Sequence, residues 1–340
     1  MSKSLKEITE IFSTLYSEKT LGFETFRNYQ SIRCKCDRLK LTNITPDQIE
    51  NLWSVINKSI GDYLDIAERK QVKTVSIPYR KIISLSDLHI PFTMFDKIKE
   101  VLEEHIDADV VVLNGDILDG YVFSQYSKTK RVAAIQEYIA AFNLVKYLSL
   151  TFESVVIVSG NHDARASRAL SHNGFEKEAT QVLRPDLLAR IANGEELDMY
   201  GQLIEKHNFS NVIYQPFDSW YVRIGKTIFC HPDGFSNSYP GATVVKLLDH
   251  FSARLANEEF DSIVVGHTHK QYKGIVSSKL LMEQGAMSHK LPYQFKADLR
   301  FKNAVNGYAI IYQDQNGNTD FNLSRNIYLG TFLPIKKEAL

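Results

Sequence analysis

The chain has 340 residues, 44% of them hydrophobic and 24% charged, with 40 Lys plus Arg against 40 Asp plus Glu. This is an ordinary globular composition, long enough for one large domain with an accessory element or for two domains. A formal net charge of zero excludes a global field that would draw the chain to nucleic acid or membrane, so any such preference has to be local.

Three cysteines, Cys34, Cys36 and Cys230, are too few and too unevenly spaced for a disulfide framework, which fits a reducing compartment. Cys34 and Cys36 lack nearby His or further Cys, so no structural zinc is expected there. The first residues mix charge with apolar side chains, and no stretch approaches the roughly 18 apolar residues that span a bilayer. The cytoplasm is the expected location, with no membrane partner.

Residues 1–75 read as a small helical module. Leu5, Ile8, Ile11, Phe12 and Leu15 recur at helical spacing, and a second helix is expected over 23–41. A third follows Thr45-Pro46-Asp47, with Ile49, Leu52, Trp53, Ile56 and Ile60 on one face. Three short helices resemble a helix-turn-helix, with residues 20–25 as its turn and 26–40 as its recognition helix. That helix carries Arg27, Arg33, Lys35, Arg38 and Lys40 against a single acid, Asp37. Two readings stand: the basic face contacts DNA phosphates, or the helices cap or dimerise the main domain.

Residues 70–80 lack helical periodicity and read as a linker, and from about residue 76 the pattern becomes strands alternating with helices. Strands are expected at 82–85, 110–113 and 155–158, with helices near 96–105 and 132–148, which implies an α/β fold with parallel strands. A helical insert is expected over 165–208. Strands follow at 211–215, 220–224 and 227–230, then a helix at 243–255, strands at 262–265, 279–283 and 308–313, and a turn at 314–318.

The ends of these strands carry the chemistry. The third strand delivers Gly160-Asn161-His162-Asp163. The first ends Asp87-Leu88-His89, the second Gly115-Asp116-Ile117-Leu118-Asp119, a later one His231-Pro232-Asp233, and another Gly266-His267-Thr268-His269. Residues i and i+2 on extended backbone face the same way, so Asp87 and His89 can grip one ion, and His267 with His269 is again an i, i+2 pair. The other histidines, His105, His172, His207, His250 and His289, read as ordinary surface or core residues.

In this order the set D-x-H, G-D-x-x-D, G-N-H-D, H and G-H-x-H resembles the calcineurin-like metallophosphoesterase superfamily, over roughly residues 80 to 325. The resemblance implies a four-layer α-β-β-α sandwich of two mixed sheets over 76–340, and two divalent ions: manganese, or iron or zinc. Asp87, His89 and His269 would hold one ion, Asn161, His231 and His267 the other, and Asp116 would bridge them. His162 would be the general acid, oriented by Asp119, with metal-activated water attacking phosphorus. Asp163 would support the loop.

The second motif here is Gly-Asp-Ile-Leu-Asp-Gly-Tyr, without the arginine that the family's Ser/Thr protein phosphatases carry after the second aspartate. The simpler set is similar to the bacterial and phage branch of phosphodiesterases, phosphomonoesterases and repair nucleases. Lys128, Arg131, Arg165, Arg168 and Tyr239 lie near the motifs and are candidates for substrate contact. A nucleic-acid phosphodiester is the expected substrate. A small-molecule phosphatase or cyclic-nucleotide phosphodiesterase is the alternative, and the N-terminal helices offer a route to an oligomer.

Overall fold

The computed structural model describes residues 80–124, 132–172, 184–233, 239–292, 294 and 303–331. The chain divides into two units at Pro78/Tyr79, and the description below concerns the second. The expected helical module, its basic residues Arg27, Arg33, Lys35, Arg38 and Lys40, and Lys128 and Arg131 lie outside the described residues.

In chain order the elements are β1 (Arg80–Leu85), α1 (Phe95–Glu104), β2 (Val110–Asn114), a 3-10 turn (Tyr121–Phe123), α2 (Ala134–Thr151), β3 (Ser154–Val158), α3 (Arg165–His172) and α4 (Leu187–Ala192). There follow β4 (Glu195–Leu197), β5 (Leu203–Lys206), β6 (Val212–Gln215), β7 (Tyr221–Ile224), β8 (Thr227–Cys230), α5 (Ala242–Ser252), β9 (Ser262–Val265), β10 (Gln271–Val276), β11 (Lys279–Gln284), β12 (Val305–Gln313) and β13 (Arg325–Thr331).

The β-branched runs of β2 and β3 are buried nearly throughout, as strands covered on both faces must be. They sit in a six-stranded sheet of order β13-β12-β1-β2-β3-β6, where β1, β2, β3 and β6 run parallel and β12 and β13 antiparallel. A five-stranded sheet has the order β10-β11-β9-β8-β7, with β11, β9 and β8 parallel and both edges antiparallel. Among the described residues, three large apolar clusters make up most of the core. One joins α1 and α2 to the first sheet through Ile98, Val101, Phe142, Val145 and Leu148. A second joins inner-face residues of both sheets, Ile82, Val112 and Val156 with Phe229, Val264 and Met282. The third packs Val244, Leu248 and Phe251 of α5 on Ile228, Ile263 and Val265. Each such buried aliphatic or aromatic side chain contributes about 1.5–3 kcal/mol of transfer free energy.

Three differences from expectation have local causes. The 165–208 insert is helical only in part: α3 and α4 are followed by the β4–β5 hairpin, with Gly194 just before it and Gly201 in its turn, at φ 77° and 81°. All four residues of β5 are exposed, so it carries no apolar alternation to read. The strands β10 and β13 were not expected at all. Both are sheet edges of mixed burial and each contains a glycine, Gly274 or Gly330, which weakens the strand signal.

Candidate metal centre

Each sheet brings the C-terminal ends of its parallel strands to one edge, the usual place for ligands on open α/β sheets. Register aligns those ends: Leu85 lies opposite Leu113, Asn114 opposite Val158, and Cys230 opposite Val265. The residues that follow converge. Asp87, His89 and His269 offer ligand atoms all within 4.8 Å of one another, as do Asp116, His231 and His267.

The backbone that presents them is not extended strand. Asp87, His89, Asp116, His267 and His269 have φ of 54°, 47°, 52°, 68° and 53°, a region that costs an ordinary side chain about 1–3 kcal/mol. Strand alternation therefore does not align Asp87 with His89, or His267 with His269; left-handed turns do. Neighbouring strand ends hold those turns: Asp87 N–H donates to Gly115 O at 3.0 Å and His89 N–H to Asp116 O at 2.9 Å. His267 N–H donates to Asp87 Oδ2 at 2.9 Å, tying the second sheet to the first. Two glycines make room. A Cβ on Gly115 would lie 2.1 Å from the His231 ring, and one on Gly160 2.2 Å from Asp116 Oδ1.

His269 Nε2 is 3.0 Å and His89 Nε2 3.8 Å from Asp87 Oδ1, and the two Nε2 atoms are 3.1 Å apart. Asp116 Oδ2 lies 3.3 Å from His231 Nε2, 3.8 Å from His89 Nε2 and 3.9 Å from His162 Nε2, between the two groups. Asn161 Oδ1 lies 2.8 Å from His267 Nδ1. His231 Nδ1–H donates to Asn114 O at 2.8 Å, which turns its Nε2 toward Asp116 as the nitrogen that would ligate a metal.

Asp87 Oδ1 and His231 Nε2 are buried without a hydrogen-bond partner, an arrangement that costs free energy unless a cation takes those lone pairs. Burial works against ionising Asp87, but His269 and His231 outweigh it and hold the carboxyl at about 2. Asp116 is likewise held well below the usual range, against burial, by His231 and His162. Burial opposes charge on His231 too, yet Asp116 pushes it up to about 10, whereas burial and His231 push His267 down to about 4. Two buried carboxylates drawing positive charge toward neutral oxygen and nitrogen donors, with no thiolate, fit divalent metal ions.

His162 stands beside this cluster. Its N–H donates to Asp116 Oδ1 at 2.8 Å and its Nδ1–H to Asp119 Oδ1 at 3.0 Å, which turns Nε2 toward the site. Asp163 is held by backbone donors instead. It accepts from Gly160 N–H at 2.8 Å and Leu118 N–H at 2.7 Å and so ties the β2 and β3 loops together, while burial and Asp116 push its carboxyl up to about 8. Arg165 donates to Asp119 O at 2.6 Å and to His162 Nε2 at 3.0 Å. Arg168 is ion-paired to Asp233, and Tyr239 is exposed. Cys230 points into the core of the second sheet, where burial pushes its thiol up.

Residues missed by sequence reasoning support the centre from behind. Ser86 Oγ–H donates to Asp87 Oδ2 and lies 2.9 Å from Asn114 O; both stand beside motif residues and were visible there. Gln294 Nε2 lies 3.3 Å from His269 Nδ1, and Glu137 accepts from Gly120 and Tyr121 N–H; nothing local in the sequence marks either. A further acidic group, Glu196 with Glu205 and His207, lies on the β4–β5 hairpin, where Lys146 Nζ at 2.9 Å from Glu196 already supplies a cation. Among the described residues no helix is long and apolar enough to cross a membrane.

Comparison with known proteins agrees with this geometry at the family level. Among solved structures, the chain is similar to an archaeal phosphodiesterase at 14% identity and TM-score 0.36, covering 73% of this chain and 99% of that one. A protein from Pyrococcus horikoshii OT3 matches at 11% identity and TM-score 0.40, over 76% and 89% of the two chains. Vps29 from Entamoeba histolytica, solved with zinc, matches at 12% identity and TM-score 0.33, over 73% and 98%. No curated protein matches the chain. The sequence model of the calcineurin-like phosphoesterase family matches residues 80–271, the span that holds every one of the strand-end motifs, and the chain belongs to that family.

Proposed function

We propose that the chain hydrolyses a phosphodiester of nucleic acid at two divalent ions. The observation that carries this reading is the position of Asp116 Oδ2, 3.3 Å from His231 Nε2 on one side and 3.8 Å from His89 Nε2 on the other. Asp87, His89 and His269 would hold one ion, Asn161, His231 and His267 the other, with Asp116 shared. Manganese is the ion proposed, and iron or zinc suits the same donors. Bound there, the ions supply Lewis acidity, offsetting charge on phosphoryl oxygens and lowering the pKa of water toward neutrality. The scaffold is read as a four-layer α-β-β-α sandwich, which the three apolar clusters support.

His162 would carry the proton to the leaving oxygen from Nε2, because Asp119 engages Nδ1. Arg165 donates to that Nε2, so it has to release the imidazole before the nitrogen can carry a proton. An incoming phosphoryl oxygen is the natural exchange partner for its guanidinium. Lys128, Arg131, Arg168 and Tyr239 remain candidates for the rest of the substrate, and Arg27, Arg33, Lys35, Arg38 and Lys40 for DNA phosphates. Gly120 stands where the family's protein phosphatases carry arginine, which supports a different substrate class.

The test is an assay of the manganese-loaded full chain on p-nitrophenyl phosphate, bis-p-nitrophenyl phosphate, cyclic nucleotides, and single- and double-stranded DNA. The expected result is cleavage of the diester and of DNA ahead of the monoester. Replacing Arg33, Lys35 and Arg38 by Ala should weaken DNA binding and flatten its dependence on log salt, by about 0.9 for each phosphate no longer neutralised. Hydrolysis confined to the monoester or to cyclic nucleotides would transfer the assignment to a small-molecule enzyme.

A further inference from the structure

A cavity of about 520 Å³ opens beside the loop that follows β8, and the chemistry above makes no use of it. Phe217, Asp218 and Trp220 from the β6–β7 connection form one wall, Asp233 another, and Lys246 and His250 from α5 a third. Two links join it to the candidate metal centre. Asp233 lies two residues past His231. Arg168, one helical turn along α3 from Arg165, pairs with Asp233 and lays its guanidinium 4.6 Å from the centre of the Phe217 ring. The helix whose first residue touches His162 and Asp119 thus reaches the cavity rim with its fourth.

The lining identifies the occupant by elimination. Arg168 is ion-paired to Asp233, and the lining carries Asp218 as well as Lys246, so by charge count the walls hold no positive excess to recruit a second phosphate. The apolar lining is two rings with Pro232 and Leu247 beside them: Phe217 and Trp220 are half-buried, and Trp220 meets the His250 ring edge-on at 5.4 Å. Rings that leave apolar area open, with carboxylates and an ammonium at the edges, match a flat heteroaromatic that carries both donors and acceptors. The volume falls in the range of about 300–1,000 Å³ common for small-molecule sites.

We propose that this cavity is the subsite for a nucleobase flanking the scissile phosphate. The base packs against Phe217 and Trp220, its exocyclic amino group donates to Asp218 or Asp233, and its carbonyl or ring nitrogen accepts from Lys246. The proposal deepens the phosphodiesterase reading and rests on it for the adjacent phosphate.

Two measurements test it separately. Trp220 is one of two tryptophans, the other being Trp53, so the full-length Trp53→Phe chain reports on the cavity through Trp220 emission. Adenosine, which has no phosphate for the metal centre, should change that emission saturably, and Phe217→Ala or the rim variant Asp218→Ala should weaken the titration. In the second measurement, thymidine 5′-(p-nitrophenyl phosphate) is compared with methyl p-nitrophenyl phosphate on the manganese-loaded enzyme. Phe217→Ala should raise KM for the nucleoside ester by about tenfold, well beyond its effect on the methyl ester, with kcat little changed. The absence of any saturable adenosine signal, or an equal loss on both esters, would overturn the subsite. A chain that cleaves neither ester while adenosine still titrates Trp220 would overturn the hydrolytic reading and keep the pocket.

Discussion

Asp116 is the most heavily used side chain of the centre. One oxygen accepts from His162 N–H, and the other lies within 4 Å of three imidazole nitrogens. Its place depends on Gly160, whose missing Cβ leaves the space that Asp116 Oδ1 and the Asp116 N–H occupy, at 2.2 and 2.3 Å from where that Cβ would be. Both obstacles are held, so neither can give way as a flexible chain end would. Gly160→Ala should destabilise the fold by about 1–3 kcal/mol and weaken metal binding with it, measured by urea melting and by metal titration of the purified variant. A variant of full stability and affinity would show that the β3 loop moves freely. At His162 the expectation separates binding from chemistry. His162→Asn should retain its metal, since the ring is not assigned as a ligand, yet lose about 10²–10⁴ in turnover on substrates with alkoxide leaving groups. The loss should shrink with p-nitrophenolate, which leaves without a proton. Equal losses on both leaving groups would remove it from the role of acid.

Helix α2 shows how far the chain could be read and where reading stopped. Its existence was legible from the alternation of strands with helices, as were α1, α5 and the buried β-branched strands. The motif residues were legible as types in order, but their convergence comes from left-handed turns rather than strand alternation. Edge strands β10 and β13 and the exposed β5 had no periodic signal to read. Glu137 was invisible because its partners lie 16 and 17 residues away: its carboxylate accepts from Tyr121 N–H at 3.0 Å and Gly120 N–H at 2.8 Å, fixing the loop that follows Asp119. Burial, with Asp119 adding to it, pushes the Glu137 carboxyl from 4.5 up to about 8, against the two N–H donors. The folded chain therefore keeps a proton that the unfolded chain releases near pH 4.5. The stability this confers is complete below pH 4.5 and is lost as pH rises through about 8. Glu137→Gln is fixed neutral, so its stability should fall less steeply across that window, by at most about 1.4 kcal/mol per pH unit. Urea melts of both proteins at several pH values check this, and parallel curves would show that Glu137 is ionised in the folded state throughout.

Across the whole phosphoesterase unit, the two sheets meet in an apolar inner cluster that contains few but specific polar ties. Ser84 Oγ–H donates to Gln284 Oε1 at 2.8 Å, Gln284 Nε2–H to Ser84 O at 3.2 Å, and Asn114 Nδ2–H to Val264 O at 3.2 Å. These set the sheets so that their parallel strand ends share one edge. The candidate ligands are divided between them: Asp87, His89, Asp116 and Asn161 follow strands of the first sheet, and His231, His267 and His269 follow strands of the second. Without a cation, this edge brings together two ionised carboxylates and buried polar atoms without hydrogen-bond partners. Metal binding should therefore act as a cross-sheet clamp and stabilise the fold as a whole. For one site, ligand at a hundred times its Kd adds about 2.7 kcal/mol. Chelator-stripped protein should melt at a lower temperature, recover on addition of manganese or zinc, and continue to gain as free metal rises. His231→Ala, which removes a second-sheet donor, should shrink that gain; because the buried ring also gives up its hydrogen bond to Asn114 O, the metal-free melting temperature falls too, and the quantity compared is the metal-induced rise within each protein. A metal-induced rise as large in His231→Ala as in the parent chain would place the stabilising ion away from this edge and dissolve the clamp.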